Sequence, residues 1–308
     1  MSSVTTSTMT EGVPSRHARP RFFGLVGGEF FKIGRMWSTW ITLVLLLGAI
    51  CLPYLVSLTT NIQDRIHNDA LSYYYDEMQV NLSVLRIFTG FFLIILTASV
   101  FGREYQLGTI RILLARGVGR LQLLLAKLLT VVLIAVSILI IGFSLNVLLM
   151  VSLVSIKAGN LNSLQVLTPD FWHNTQLYLL TVLISTGTTI LMAMAMTSLG
   201  RSLTFGLSAA MAWFPADNLV IVIMLLGYRL TRNDFWRNIT AYFLGPNLNV
   251  MPKVILPAHL TQAVGADSIG TAPNVTVDAT HTLLVTLVYA LVFLVLSLSL
   301  TWKRDVKE

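Results

Sequence analysis

Between residues 104 and 127 the chain reads EYQLGTIRILLARGVGRLQLLLAK. Its charged side chains, Glu104, Arg111, Arg116, Arg120 and Lys127, stand between two of the most apolar runs in the sequence. Leu107, Ile110, Leu113 and Leu114 recur at helical spacing, with Glu104 and Arg111 away from that stripe. Gly117-Val118-Gly119 then breaks the helix, and Arg120 opens the next one. The chemistry such residues offer is docking: an apolar face for a partner to bury, with charges around it to fix register. Two membrane helices can be joined by a short polar turn. A bare topology loop needs neither the stripe nor the start made by Glu104, Gly108 and Thr109.

Elsewhere the reactive side chains are sparse. Asp217, in WFPADNLVIV, is the one acid well inside an apolar run, and an ionisable group at depth is a functional hypothesis by default. It follows Pro215, which frees a backbone acceptor. Asp217 is therefore a candidate for lining a transport path, binding a cation, or capping a helix that restarts at Asn218. Asn146 is a second candidate for the path, although an interhelical hydrogen bond is its plainer use. Arg86, near the start of a run, is expected to snorkel to the outer surface. His67, His173, His259 and His281 share no ligand-like spacing, so no metal site is expected. There is no Gly-Lys dipeptide, hence no phosphate loop, and neither His-Glu-x2-His nor Gly-x-Ser-x-Gly occurs. No catalytic residues are assigned.

The elements that must position these residues are membrane helices. Of 308 residues, 55% are hydrophobic and 11% charged, with a mean hydropathy of +0.75. Soluble domains carry about 25% charged residues, so this chain has too little polar surface for a soluble fold. The single cysteine, Cys51, rules out a disulfide framework within the chain. A spanning helix takes about 20 apolar residues. Six stretches qualify: about 39–59, 84–101, 128–156, 176–199, 203–227 and 282–302. The third extends through its lead-in from Leu121 to Ile156 with no turn chemistry to divide it, which predicts one long tilted helix. The fold class is an all-α membrane protein with six transmembrane helices.

The net charge of +7 is set by placement. With the N-terminus cytoplasmic, the inner segments hold the basic residues of the N-terminus, the elbow, Arg201 and the KRDV ending, as topology requires. Nucleic acid is not an expected partner; the lipid bilayer is. Residues 1–20 read as a disordered cytosolic tail, lacking the apolar core of a signal peptide. In 21–38, Phe22, Val26, Phe30, Ile33 and Trp37 form a stripe from which Glu29 and Lys32 face away, predicting an amphipathic helix in the interface. The outer segment 228–280 mixes aromatics with Pro246, Pro252 and Pro257, and reads equally as broken helices that dip back into the outer bilayer with their backbone buried by protein, or as a surface loop. Ser185, Thr189, Ala193 and Thr197 form a ladder of small residues, as do Ser202, Gly206 and Ala210. Such ladders allow close helix approach, within one subunit or across a dimer.

The stretch 104–127 resembles the cytosolic coupling region of permease subunits in the ABC-2 family of ABC transporters. The pattern there is approximately Glu-x3-Gly-Thr-x3-Leu-Leu, then Arg, then a basic residue leading into the third span. Glu104, Gly108, Thr109, Leu113, Leu114, Arg116, Arg120 and Lys127 stand at those places. Family members often have Pro where Gly117 stands and Ser or Thr near Gly119. The layout of residues 21–308 is similar too, with its interfacial helix, six spans, acidic first outer loop and long segment before the last span.

The resemblance implies a permease subunit in the plasma membrane, multi-pass with both termini cytoplasmic. It would work with a separate ABC ATPase subunit, which carries the ATP and Mg, and with a second permease subunit as a homo- or heterodimer. Coupling would run through 104–120, with Glu104, Gly108, Thr109, Arg111, Leu113, Leu114, Arg116 and Arg120 as its residues, and export is the expected direction. No cofactor is expected on this chain. The rival readings are a gradient-driven secondary transporter, for which no internal repeat is evident, and a non-transporting membrane scaffold.

Overall fold

Apolar segments that cross a bilayer find no water for their backbone groups and must satisfy them internally, as helices do. The computed structural model describes residues 21–108, 117–257 and 270–303, and its regular elements there are all helical. α1 spans Phe22–Gly34, α2 Trp37–Thr59, α3 Gln63–Gln106 and α4 Arg120–Ala158. α5 follows at Pro169–Gly200, α6 at Leu203–Thr231, α7 at Phe235–Asn238, α8 at Leu244–Ile255 and α9 at Ala279–Lys303. Among the described residues, six of these (α2 to α6 and α9) are long and apolar enough to cross a membrane. Each contains one of the expected spans. α4 is a single helix of 39 residues, as the uninterrupted run predicts.

α3 departs from expectation by beginning at Gln63 rather than near residue 84. Its acidic first part has a polar face that lowers the average hydropathy. On the other face Ile66, Tyr73, Tyr74 and Met78 are buried in the core. Asp69 leaves helical geometry, and its carboxylate accepts the Ser72 N–H at 3.1 Å, restarting the helix as a cap does.

The spans differ in how much of themselves they bury. In their most apolar windows α3 is 67% buried and α5 61%, against 11% for α6 and 22% for α2 and α9. α3 and α5 thus form the centre, around Leu85, Leu93, Tyr178, Val182 and Ile190, with Val131 and Val154 of α4 and Ile50 of α2. Trp37, Trp40, Trp172 and Trp302 point outward, as interface tryptophans do.

The small-residue ladders pack within the chain. A Cβ placed on Gly206 would lie 2.2 Å from Thr197 Oγ1, so the α5–α6 hairpin closes only with glycine there. A Cβ on Gly102 would lie 2.5 Å from the Leu203 Cα, bringing α3 against the start of α6. Arg201 (φ 47°) and Ser202 make the turn between α5 and α6, with the Ser202 hydroxyl accepting the Phe205 N–H at 3.4 Å. Together with α1, the end of α3, the start of α4 and the end of α9, this turn lies at one end of the bundle, called the basal end below.

Within 228–280, α8 is no surface loop. Leu244, Gly245, Asn247, Leu248 and Met251 are buried against α5, α6 and α9. The Asn247 amide donates to the carbonyls of Ala241 and Phe243 at 2.6 and 2.8 Å, satisfying backbone that helix would otherwise satisfy. This part is broken helix buried by protein.

Candidate functional site

The elbow hangs from two glycines. α3 ends as Leu107 N–H bonds the Arg103 carbonyl at 2.8 Å and Gly108 N–H the Tyr105 carbonyl at 3.3 Å. Gly108 takes φ +65°, the left-handed value that glycine tolerates at a helix end. Gly117, on the other side, takes φ +82°, which proline with φ fixed near −65° cannot adopt. The proline that the resemblance leads one to expect at this place is therefore incompatible with the backbone here. Thr109, Arg111, Leu113, Leu114 and Arg116 lie outside the described residues. Arg120 is half-buried at the first residue of α4 and acts electrostatically on Tyr105.

Beneath the elbow lies a cluster of four charges from three helices. Lys32 Nζ of α1 is 2.6 Å from Glu29 Oε1 and 2.9 Å from Glu104 Oε1 of α3. Lys127 Nζ of α4 is 3.2 Å from Glu104 Oε1 and 3.4 Å from Glu29 Oε2, and donates to the Val100 carbonyl at 2.5 Å. The Lys127 amine also sits over the Phe101 ring, 5.9 Å from its centroid, in cation–π range. Glu29, Glu104 and Lys127 are buried, whereas the Lys32 side chain is 52% exposed.

Two acids and two lysines leave no net charge, which is the condition under which such groups tolerate burial. Partial burial pulls the Lys32 amine down. Its hydrogen bonds to Glu104 and Glu29 and their negative charge outweigh this, and its pKa ends above the ordinary 10.5.

This arrangement corrects one expectation. Glu29 does not face away from the α1 stripe but is buried beside Val26 and Ile33, because it serves Lys127 and Lys32 inside the bundle. Glu104 is 8% exposed and ties the last turn before the elbow to both α1 and α4. Opposite charges at the ends of three separate apolar or amphipathic segments were the available signal. Nothing in their spacing says that they meet.

Neither transport-path candidate takes part in this cluster, and the two border no common cavity. Asp217 Oδ2 accepts the Gly245 N–H at 2.8 Å, capping the first turn of α8 from α6. A carboxylate at a helix N-terminus is well placed by capping and by the helix dipole. The cap therefore serves α8, not a helix restarting at Asn218, since α6 runs unbroken through Pro215.

Asn146 receives the Tyr54 hydroxyl on its carbonyl at 2.9 Å and on Oδ1 at 3.1 Å, an α2–α4 bond of the interhelical kind expected. It lines a cavity of about 320 Å³ with Tyr54, Glu77 and Asn81, on which Asp217 does not border. Arg86 does not snorkel. It is 7% exposed and turned inward, donating to the Leu248 carbonyl and, at 3.3 Å, to Asn249 Oδ1. The buried edge of α8 offers it acceptors that the membrane surface would otherwise supply. Among the described residues, no group of three or more His, Cys, Asp or Glu side chains could hold a metal ion.

A comparison with curated proteins finds no match. The family described as ABC-2 family transporter protein matches residues 25–214, from α1 through the elbow and its charge cluster to the first half of α6. That is well over half of the chain, and with the six helices able to cross a membrane it makes the chain a multi-pass membrane permease that belongs to the ABC-2 family of transporter proteins.

Proposed function

We propose that this permease is the transmembrane subunit of an ATP-driven exporter, coupled through residues 104–120 to a separate ATPase that carries ATP and Mg. The observation that carries the reading is the position of Glu104. It is the last buried charge before the elbow, and its carboxylate is held at once by Lys32 of α1 and Lys127 of α4. A displacement of the elbow is thus delivered to three helices rather than to the α3–α4 connection alone.

In this reading the basal end is cytoplasmic, as the distribution of Lys and Arg favours, and the chain sits in the plasma membrane. α1 lies along the interface. Phe23 and Phe31, 80% and 63% exposed, supply the apolar contact with lipid that such a helix needs. Leu113 and Leu114 seat in a cleft of the ATPase while Arg111, Arg116 and Arg120 set register. Nucleotide binding draws two ATPases together, the elbow follows, and a path between two permease subunits opens outward. This is a two-state equilibrium biased by the partner's preference for one state. α6, so little buried within one chain, offers Leu219, Val222, Ile223 and Leu226 to a second permease subunit or to lipid.

The test is purification of the tagged chain in mild detergent from its native host, alongside a variant with Leu113→Asp and Leu114→Asp. A stoichiometric partner bearing a phosphate loop, lost in the variant, is the expected result. Equal recovery of that partner with both chains would remove the elbow from the interface, and recovery of the chain alone with nucleotide present would favour a gradient-driven transporter.

A further inference from the structure

Arg86 faces a cavity of about 270 Å³ enclosed by α3, α5, α6 and α8. Phe91 and Phe214 supply apolar wall; Thr189, Asn218 and Asn249 supply polar wall. The neutral groups are already satisfied within the chain. Thr189 donates to the Ser185 carbonyl at 2.8 Å, Asn218 Oδ1 accepts from Thr271 N–H and hydroxyl at 2.8 and 2.6 Å, and the Asn249 amide donates to the Thr271 carbonyl at 3.1 Å. The guanidinium has five N–H donors, and among the described residues the Leu248 carbonyl and Asn249 Oδ1 each receive one.

No carboxylate pairs with Arg86 among the described residues, and Asp217 on the neighbouring α6 is engaged by Gly245. The basal cluster balances two lysines with two glutamates; here, among the described residues, a whole positive charge is buried against neutral acceptors. Two carbonyl contacts to α8 could be made by a neutral donor without that desolvation cost. The charge calls for an anion.

We propose that this cavity binds the anionic head of an amphiphile, a phosphate or carboxylate on an apolar tail, with Arg86 as the anion-binding residue. A drug-sized ligand occupies about 300–1,000 Å³, so this volume suits a head and its first methylenes, with the tail leaving past Phe91, itself 42% exposed. A guanidinium offers such a head paired donors in one plane. The site's use in transport rests on the permease reading above; its binding chemistry does not.

The experiment titrates the purified full chain in dodecyl maltoside with dodecyl phosphate, and in parallel with dodecyltrimethylammonium, counting bound molecules by native mass spectrometry. One dodecyl phosphate should bind saturably and the cation should not. Arg86→Gln should weaken the phosphate about tenfold or more. Gly90→Leu supplies a second variant that leaves the Arg86 acceptors untouched: Gly90 lines the cavity, and nothing lies within 4 Å of its Cβ position. It should abolish binding while thermal stability stays unchanged.

Repeating the titration in nanodiscs identifies the natural source of the head. Loss of the dodecyl phosphate site in phosphatidylglycerol but not phosphatidylcholine makes it a bilayer lipid; retention in both makes it a free amphiphile. Undiminished binding in both variants, or equal binding of the cation, would overturn the proposal. Because the assay needs no ATPase, loss of the coupled-permease reading would leave its outcome intact.

Discussion

Replacing Lys127 by methionine tests whether the basal cluster holds three helices together. Lys127 is 4% exposed, with Glu104 Oε1 at 3.2 Å and Glu29 Oε2 at 3.4 Å. At an effective dielectric of about 20, one unit pair at about 3.3 Å is worth about 5 kcal/mol before desolvation, and desolvation of the amine offsets most of that. The charge left behind decides the outcome. Methionine leaves two buried carboxylates sharing Lys32, which stands half in solvent.

Removing one member of a buried pair costs about 3–5 kcal/mol, and the contact that Lys32 retains puts this case at the lower end, about 3 kcal/mol. Adding Glu104→Gln restores the balance of charge, so the double variant should lose only about 1 kcal/mol. Lys32→Ala removes an exposed, screened amine and should cost under about 1 kcal/mol. Thermal unfolding of the purified chain in dodecyl maltoside reads the series. At about 2–4 °C per kcal/mol, Lys127→Met should lower Tm by about 6–12 °C. If it matches Lys32→Ala, or if the double variant falls as far as Lys127→Met, the cluster does not act as a balanced unit.

Gly102→Val should separate α3 from α6, because its Cβ would meet Leu203 backbone at 2.5 Å; a loss of about 2–3 kcal/mol is expected in the same thermal assay. Gly90→Ala, with open space around its Cβ, should be neutral or stabilise by about 0.5–1 kcal/mol. Asp217→Ala removes the cap of α8 and should cost about 1 kcal/mol, seen as faster hydrogen exchange at Gly245 and its neighbours, with Asp217→Asn closer to the parent. The raised Lys32 pKa gives a signed pH dependence: its stabilisation is fully present below about 10.5 and is lost as pH rises through the higher folded value. A wild-type minus Lys32→Ala difference in Tm should therefore be flat from pH 7 to 10 and shrink only above that range.

Hydropathy made the six crossings legible, because each is longer than a bilayer needs and little interrupts it. It also allowed α4 to be read as one helix. It was blind to the first part of α3, where the buried Tyr73, Tyr74 and Tyr75 are flanked by Asp69, Asp76 and Glu77, which lower any average. The site was legible in its parts and not in its pairings. Glu104 and Lys127 stood out as charges in the elbow, but their meeting with Glu29 is set by where α1 packs, which no local pattern records. Arg86 was conspicuous and expected at the outer surface, and Asp217 was conspicuous as a cap without its helix, for one reason. Their partners include the Leu248 carbonyl and the Gly245 N–H, backbone groups of α8, and a backbone group carries no sequence signature.

Arg86 and Glu104 lie eighteen residues apart on a stretch of α3 with no break in its helical geometry. At 3.6 residues per turn that is about five whole turns, and about 27 Å of rise. The two side chains therefore share one azimuth, like teeth cut in phase on a single shaft. A twist of α3 that withdraws Glu104 from the two lysines swings Arg86 by the same angle at the same instant, and a slide shifts both by the same distance. Timing between the ends of the bundle then needs no relay of intermediate contacts, because the phase is written into the helix itself.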